Sequence, residues 1–132
     1  MTSMPALLGR LVAVLQAHPI CHDVHVVQTK AFSPDQFYFK IRTALDGGYR
    51  LQVRIYHNRG HTDYAYQVFT DVPLLRWDNK EEFDHLDTSP HHHHDTEGYV
   101  QPSPLTGDPI QDIQIVLQAV ESFLEEETSR RS

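Results

Sequence analysis

The chain has 132 residues, of which 39% are hydrophobic and 22% charged, a balance typical of one globular domain and not of a disordered or fibrous chain. Its formal net charge of −7 argues against a general nucleic-acid-coating protein. The single cysteine, Cys21, excludes an internal disulfide and a zinc site built on cysteines. We therefore predict one domain over residues 1–132, in the reducing environment of the cytoplasm.

The first predicted element is a helix that is capped by Thr2 or Ser3 and ends at His18. Pro5 suits its first turn. Apolar residues recur at the helical period, at Leu7, Leu8, Leu11, Val12 and Leu15. This stretch is too short for a signal peptide or a membrane span, so we expect no contact with a membrane.

A strand over residues 20–30 and a β-hairpin are predicted next. Apolar and polar residues alternate on both sides of Asp46-Gly47-Gly48, whose glycines suit a tight turn. Because successive side chains of a strand alternate between its two faces, four cations are expected on the face opposite the apolar one: Lys40, Arg42, Arg50 and Arg54. The outer surface of the sheet is therefore expected to be basic.

Two further strands are predicted before a long loop. The first alternates along residues 62–68, and the second is short and covers residues 74–77. Residues 79–107 contain three prolines and two glycines and show no sustained period, which predicts a loop with a short strand near Tyr99.

The last predicted element is an amphipathic helix. Asp108 suits its N-cap and Pro109 its first position. One face carries Ile110, Ile113, Leu117, Val120 and Leu124, and residues 125–132 are expected to form a frayed polar tail. The whole pattern predicts an α+β fold, an antiparallel meander of about five strands with the first and last helices packed on one face.

The segment from Arg76 to His94 is rich in histidines, which can exchange protons or bind metals near neutral pH. Metal-independent phosphodiester cleavage needs a base, an acid and a cation for the developing phosphorane charge. Two of these histidines together with Arg76 or a hairpin arginine supply all three groups. The basic, tyrosine-bearing sheet face would hold single-stranded RNA, although such a face is also typical of the solvated side of a half-buried sheet.

Metal binding is an alternative use of the same histidines. If the run His91–His94 is extended, alternate imidazoles point to opposite faces, so at most two chelate one ion. His85, Asp78 or Asp84 would have to complete the site. Because no spaced ligand motif such as H-E-x-x-H is present, we predict no resident metal and no cofactor. A surface loop whose histidines bind nothing is the remaining alternative.

Several motifs occur in a fixed order along the chain. They are Tyr64-x-Tyr66, Arg76-Trp77-Asp78-Asn79, Leu86-x-Thr88-x-Pro90-His91-His92-x-His94 and Val100-x-Pro102-Ser103, followed by the closing amphipathic helix. This order of motifs resembles the TumE family of prokaryotic toxin–antitoxin toxins. The resemblance covers residues 49–124 and places Arg76, Asp78, His91, His92 and His94 at the matching motif positions. It implies a small cytoplasmic toxin that is paired with a DNA-binding antitoxin encoded beside it, with RNA as the suspected substrate.

The chain departs from the family pattern at two places. Glu82 and Phe83 stand where family members commonly carry histidines, and His93 replaces a lysine between the motif histidines. His85 is positioned to compensate for the first change. If activity requires the missing imidazoles or the fixed charge of that lysine, this copy is weakened or inactive.

We therefore predict a toxin that cleaves RNA without a metal. His92 and His94 are the expected acid and base, with His85 or His91 sharing the work. Arg76 would stabilise phosphate charge, Asp78 would orient a histidine or Arg76, and the hairpin cations Lys40, Arg42, Arg50 and Arg54 would hold the RNA backbone. The alternatives are a metal-dependent hydrolase built on His85 and His91–His94 and a toxin that acts only by binding a partner. A homodimer through a sheet edge or the last helix is also compatible with the pattern.

Overall fold

Two helices and seven strands make up the described part of the chain, which in this computed structural model comprises residues 3–79 and 91–131. The elements are α1 (Met4–Ala17), β1 (Cys21–Ser33), β2 (Gln36–Leu45), β3 (Arg50–Asn58), β4 (His61–Phe69), β5 (Pro73–Asp78), β6 (His92–His94), β7 (Val100–Pro102) and α2 (Pro109–Arg131). The strands lie in sequence order in one sheet, and all neighbouring pairs are antiparallel. The predicted α+β class and meander are confirmed, with more strands than expected.

Helix α1 begins and ends where its sequence predicts. The Ser3 hydroxyl accepts a hydrogen bond from the Ala6 backbone N–H at 3.3 Å, and Pro5 lies in the first turn, where its missing N–H costs no helical bond. His18 adopts an extended conformation and ends the helix. The buried face of α1 carries Leu7, Leu11 and Leu15.

Strands β2 and β3 form the predicted hairpin. Ile41 lies opposite Val53 in the ladder, and both side chains are buried on the face that the helices cover. The turn residues Gly47 and Gly48 have φ angles of 80° and 86°, which a residue with a Cβ adopts only under strain. The opposite, open face of the sheet carries the predicted cations, because successive side chains of a strand alternate between faces.

The core lies between the apolar face of the sheet and the two helices. Its fully buried side chains include Phe39 and Tyr66 from the sheet and Ile113 and Leu117 from α2. Neither described helix combines the length and apolar character that crossing a membrane requires.

The histidine run departs from its predicted conformation. We predicted a loop over residues 79–107 with a short strand near Tyr99, whereas His92–His94 also forms a strand, β6, against β5. Val100–Pro102 forms β7 beside β6, close to the predicted short strand. A strand of three residues is too short to show a period, and its conformation is decided by the neighbouring strand with which it pairs.

The end of α2 also differs from the predicted tail, since residues 125–131 continue the helix. The Tyr49 hydroxyl donates to Glu127 at 3.4 Å, and the Thr128 hydroxyl donates to the Leu124 carbonyl at 3.0 Å. The first of these contacts involves a residue distant in sequence, which helical periodicity does not reveal.

Candidate active site

The register between β5 and β6 brings four of the predicted site residues together. Asp78 lies opposite His92, and Arg76 lies opposite His94. Residues two apart in a strand share a face, so all four side chains occupy the same face of the sheet. Asp78 pairs with Ala65 of β4, which in turn pairs with Arg54 of β3. The four residues therefore lie on the open, basic face, and we call Arg76, Asp78, His92 and His94 the Asp78 cluster.

The Asp78 carboxylate is at the centre of this cluster. Its Oδ2 atom accepts a hydrogen bond from Arg76 Nε at 2.6 Å, and His94 Nε2 lies 3.7 Å from the same oxygen. The other oxygen, Oδ1, is in direct contact with His92 Nε2. A buried carboxylate needs such partners, because an uncompensated charge away from water is costly.

Solvent exposure divides the Asp78 cluster into an inner and an outer pair. The side chains of Asp78 and His92 are 3% and 1% exposed, whereas those of Arg76 and His94 are 26% and 28% exposed. The inner pair can orient its neighbours, and the outer pair can meet a molecule that approaches the open face.

A glutamine row extends from the cluster across the open face. Arg76 Nη1 donates to Gln67 Oε1 at 2.7 Å, and Arg42 Nε donates to Gln52 Oε1 at 2.8 Å. In the ladder Gln67 lies opposite both Arg76 and Gln52, and Gln52 lies opposite Arg42. Three strand spacings, about 14 Å, therefore separate the backbones of two arginines that are both fixed by amide side chains.

Three of the four predicted hairpin cations lie beside this row. Lys40 and Arg54 face each other across β2 and β3, next to Arg42. Arg50 lies farther along the same face, where its guanidinium is 4.7 Å from the centre of the Phe69 ring and donates to the Thr70 carbonyl at 3.2 Å. Arg50 and Arg42 are thus both partly engaged by other groups, since Arg42 donates to Gln52 and its guanidinium lies 5.9 Å from the centre of the Phe69 ring.

His91 and His93 lie on the helix-covered face and are separated from the cluster by the sheet. His91 Nδ1 and the Tyr64 hydroxyl are hydrogen-bonded at 2.8 Å, and His93 stacks on Trp77 with ring centres 4.8 Å apart. Burial lowers the pKa of His91, and the Asp112 carboxylate opposes part of that shift. Burial also lowers the pKa of His93, opposed by its hydrogen bond to the Arg76 carbonyl. The predicted alternation within the histidine run is therefore present, and it excludes His91 from the cluster. His85, the other predicted site residue, lies outside the described residues.

A cavity of about 250 Å³ opens beside the outer pair of the cluster, Arg76 and His94. Its lining includes Arg76 and His94, the apolar residues Leu74 and Leu75, and the turn at residues 95–98. A larger cavity of about 410 Å³ lies near the first turns of α1 and α2 and is lined by none of the predicted site residues. Of these two cavities, only the smaller one is lined by members of the Asp78 cluster.

The cluster also contains a possible set of metal ligands. One carboxylate oxygen of Asp78 and one ring nitrogen each of His92 and His94 lie within 4.8 Å of one another. Two imidazoles and a carboxylate suit zinc and other divalent transition metals. Arg76, however, already places a positive charge 2.6 Å from Asp78, in competition with any metal ion.

Two contributors to the site escaped the sequence analysis. Gln67 was not singled out, although its position in the alternation of β4 placed it on the open face. Asn79 was quoted only within a motif, yet its side chain accepts from the Tyr64 N–H at 3.0 Å and donates to the Thr62 carbonyl at 2.8 Å. These bonds hold the end of β5 against β4 just after Asp78. No local sequence pattern predicts them, because the partners are distant in sequence.

The fold and the cluster define a small α+β protein with an imidazole–carboxylate–guanidinium site on the exposed face of its sheet. The family model described as toxin TumE matches residues 11–124, and the chain belongs to this family. It is accordingly a toxin of a toxin–antitoxin system, with an antitoxin as its partner. No curated protein and no solved structure matches the chain.

Proposed function

We propose that this toxin cleaves single-stranded RNA by acid–base catalysis that requires no metal ion. The observation that carries the proposal is the Asp78 cluster itself, in which one carboxylate contacts an arginine and two histidines on the same open face as the hairpin cations. A proton-transfer group, a phosphate-binding cation and a basic surface are thus adjacent.

In the proposed reaction, the exposed His94 takes the proton of a ribose 2′-hydroxyl. The 2′-oxygen then attacks the adjacent phosphorus, and the P–O5′ bond breaks. Arg76 stabilises the charge of the phosphorane, and the leaving 5′-oxygen receives a proton from an acid. The products are a 2′,3′-cyclic phosphate and a 5′-hydroxyl. His85 is our candidate for the acid.

The inner pair has a supporting role in this proposal. His92 was predicted to act as acid or base, but its side chain is only 1% exposed and contacts Asp78 directly. We therefore assign His92 and Asp78 as positioning residues. They hold the Arg76 guanidinium and the His94 ring at the edge of the cavity of about 250 Å³.

The open face supplies the binding surface for RNA. Lys40, Arg42 and Arg54 neutralise phosphates. Tyr56, which pairs with Tyr38 next to these cations, offers its ring as a stacking surface for a base. We include Arg50 at the margin of this surface because it is the first residue of β3 and donates to the Thr70 carbonyl.

A metal-dependent hydrolase remains the second candidate, because Asp78, His92 and His94 present a possible ligand set. The Arg76–Asp78 ion pair favours the first candidate, since the carboxylate is already neutralised by a cation. A toxin that acts only by binding a partner would not need its imidazoles. Removal of the histidines therefore distinguishes it from the metal-independent nuclease and from the metal-dependent hydrolase.

The partner and the oligomeric state belong to the same proposal. We infer that the antitoxin is a DNA-binding protein, as is usual for such pairs in the family that the motifs resemble. For a homodimer, the suitable edge is β1, whose exposed Val26, Val27 and Phe32 lie at the outer margin of the sheet. Light scattering of the wild type and of a Val27→Lys variant tests this interface, and identical masses would reject it.

The experiment compares purified wild type with His94→Ala and with His91→Ala, its counterpart on the opposite face. We expect His94→Ala to lose at least about 100-fold in the rate of RNA cleavage, as removal of a general acid or base does. His91→Ala should stay near the wild-type rate. Cyclic phosphate ends and unchanged rates in a chelator would support the mechanism. Equal rates for wild type and His94→Ala, or complete loss of cleavage in chelator, would reject it.

Expression of the same variants in bacteria connects the chemistry with toxicity. Growth arrest by the wild type and by His91→Ala, but not by His94→Ala at matched protein levels, is the expected pattern. Arrest by all three proteins would identify a toxin that acts by binding alone.

A further inference from the structure

We propose that Asp78, His92 and His94 form a Zn²⁺ site that excludes Arg76, so that zinc and the arginine are alternative partners of one carboxylate. Zinc would then inhibit the toxin, because Arg76 would be displaced and His94 would be bound to the metal ion. This last consequence rests on the proposed function, whereas zinc binding itself does not.

The distances favour zinc over harder cations. The three ligand atoms lie within 4.8 Å of one another. Zinc bonds to nitrogen and oxygen of about 2.0–2.2 Å would bring neighbouring ligands to about 3.3 Å apart in a tetrahedron. His94 Nε2 is now 3.7 Å from Asp78 Oδ2, so rotation of this partly exposed ring can bring these two atoms to the tetrahedral separation. Two imidazole ligands disfavour Mg²⁺ and Ca²⁺, which prefer oxygen.

The surroundings provide access for the ion and a place for the displaced arginine. The cavity of about 250 Å³ reaches both His94 and Arg76 from solvent. Arg76 Nη1 already bonds Gln67 at 2.7 Å, and Gln67 lies on the side of Arg76 away from β6. The guanidinium can therefore keep one partner when it leaves Asp78.

Competition with Arg76 distinguishes this site from a chance group of ligands. A metal ion and a guanidinium cannot both neutralise the carboxylate at contact distance, since the two cations would repel each other in a poorly solvated site. Removal of the arginine should therefore strengthen zinc binding, while removal of a ligand should weaken it. An adventitious site on exposed histidines elsewhere would respond to neither change.

The test is a Zn²⁺ titration of the metal-free full chain, followed by calorimetry and by the fluorescence of Trp77, the single tryptophan. We expect one zinc per chain. His94→Ala and His94→Gln should bind at least about tenfold more weakly, which is the smallest effect seen even for outer-shell residues of metal sites. Arg76→Gln should bind more tightly than wild type, and His91→Ala should bind like wild type. Circular dichroism verifies that each variant is folded.

The proposal is overturned if both His94 variants bind zinc like wild type, or if Arg76→Gln fails to bind it more tightly. A second measurement follows RNA cleavage with one equivalent of zinc and again after a chelator is added. Inhibition that the chelator reverses is expected, and full activity of the zinc-bound protein would overturn the inhibitory role. If the wild type cleaves no RNA at all, the proposed function fails, and the zinc titration still decides this proposal.

Discussion

The Asp78 carboxylate is nearly fully buried and lies 2.6 Å from a guanidinium nitrogen. Asp78→Asn should therefore lower the free energy of unfolding by about 3 kcal/mol, the lower end of the range for breaking a buried ion pair, because Arg76 still has Gln67 and solvent. Asp63→Asn is the matched control, since Asp63 pairs with His61 at 2.9 Å where both are more than half exposed. The decrease in the free energy of unfolding caused by Asp63→Asn should be below about 1 kcal/mol. Urea denaturation gives both values, and equal losses would contradict the central role of Asp78.

Two neighbouring tyrosines of β4 allow a second comparison of single residues. The Tyr66 hydroxyl is buried and has no hydrogen-bond partner among the described residues, while the Tyr64 hydroxyl is bonded to His91 at 2.8 Å. Tyr66→Phe should therefore leave the free energy of unfolding unchanged or raise it by about 1 kcal/mol, because it removes an unsatisfied polar group.

Tyr64→Phe should have the opposite sign and lower that free energy by about 1 kcal/mol, since it removes a partner from a hydrogen bond. Thermal and urea denaturation of both variants measure the difference. A loss for Tyr66→Phe as large as that for Tyr64→Phe would show that the Tyr66 hydroxyl has a partner after all.

At the scale of the elements, β6 links the stability of the fold to pH. The pKa of His93 is lowered in the folded state, chiefly by burial, so its protonation favours unfolding. Its contribution is fully present above the ordinary histidine pKa of about 6.5 and is lost as the pH falls through the folded-state value. His93→Phe, which keeps a ring against Trp77, should reduce the drop in melting temperature between about pH 7 and pH 5. Parallel curves for the two proteins would contradict this assignment.

The longer elements were predictable because each satisfies a local rule. The hairpin of β2 and β3 combines a two-residue period with a glycine turn, and α1 has a serine cap followed by a regular apolar stripe. Strands β6 and β7 have three residues each and show no period. Strand β6 depends on pairing with β5, so sequence reasoning placed it in a loop, whereas the short strand that was predicted near Tyr99 corresponds to β7.

The site was predictable in its residue types and in the alternation of the histidine run. It was not predictable in its register, because nothing in the run specifies which histidine lies opposite Asp78. This register places His92 and His94 on the open face with Asp78 and places His91 and His93 on the helix-covered face. The glutamine row was missed for the same reason, since Gln67 becomes a partner of Arg76 only through the pairing of β4 with β5.

At the scale of the whole molecule, charge is distributed unevenly despite the net charge of −7. The open face carries Lys40, Arg42 and Arg54, while α2 carries a group of glutamates near its end, at Glu121, Glu125, Glu126 and Glu127. A negatively charged polymer should therefore approach the sheet and avoid the helices, because local fields outweigh the net charge at short range.

This asymmetry predicts the salt dependence of RNA binding. Arg54→Gln should reduce the slope of log K against log salt by about 0.7, the value for one phosphate contact on a single strand. Arg10→Gln removes the same charge from α1, beside the larger cavity on the helix side, and should leave the slope unchanged. Fluorescence anisotropy with a labelled RNA across a salt series measures both slopes. Equal slopes for wild type and Arg54→Gln would exclude the open face as the binding surface.

The four consecutive histidines at 91–94 also make the site tolerant of error in strand alignment. A slip of β6 by one residue against β5 would carry every side chain of the strand to the other face. Elsewhere in the sheet such a slip would exchange apolar for polar groups, as between Ile41 and Arg42. In this run Asp78 would still face a histidine after a slip in either direction, and a slip that brings His91 opposite Asp78 would exchange one imidazole for another along the whole strand. Because histidine is repeated, the site keeps an imidazole opposite Asp78 even when β6 pairs with β5 one residue out of register.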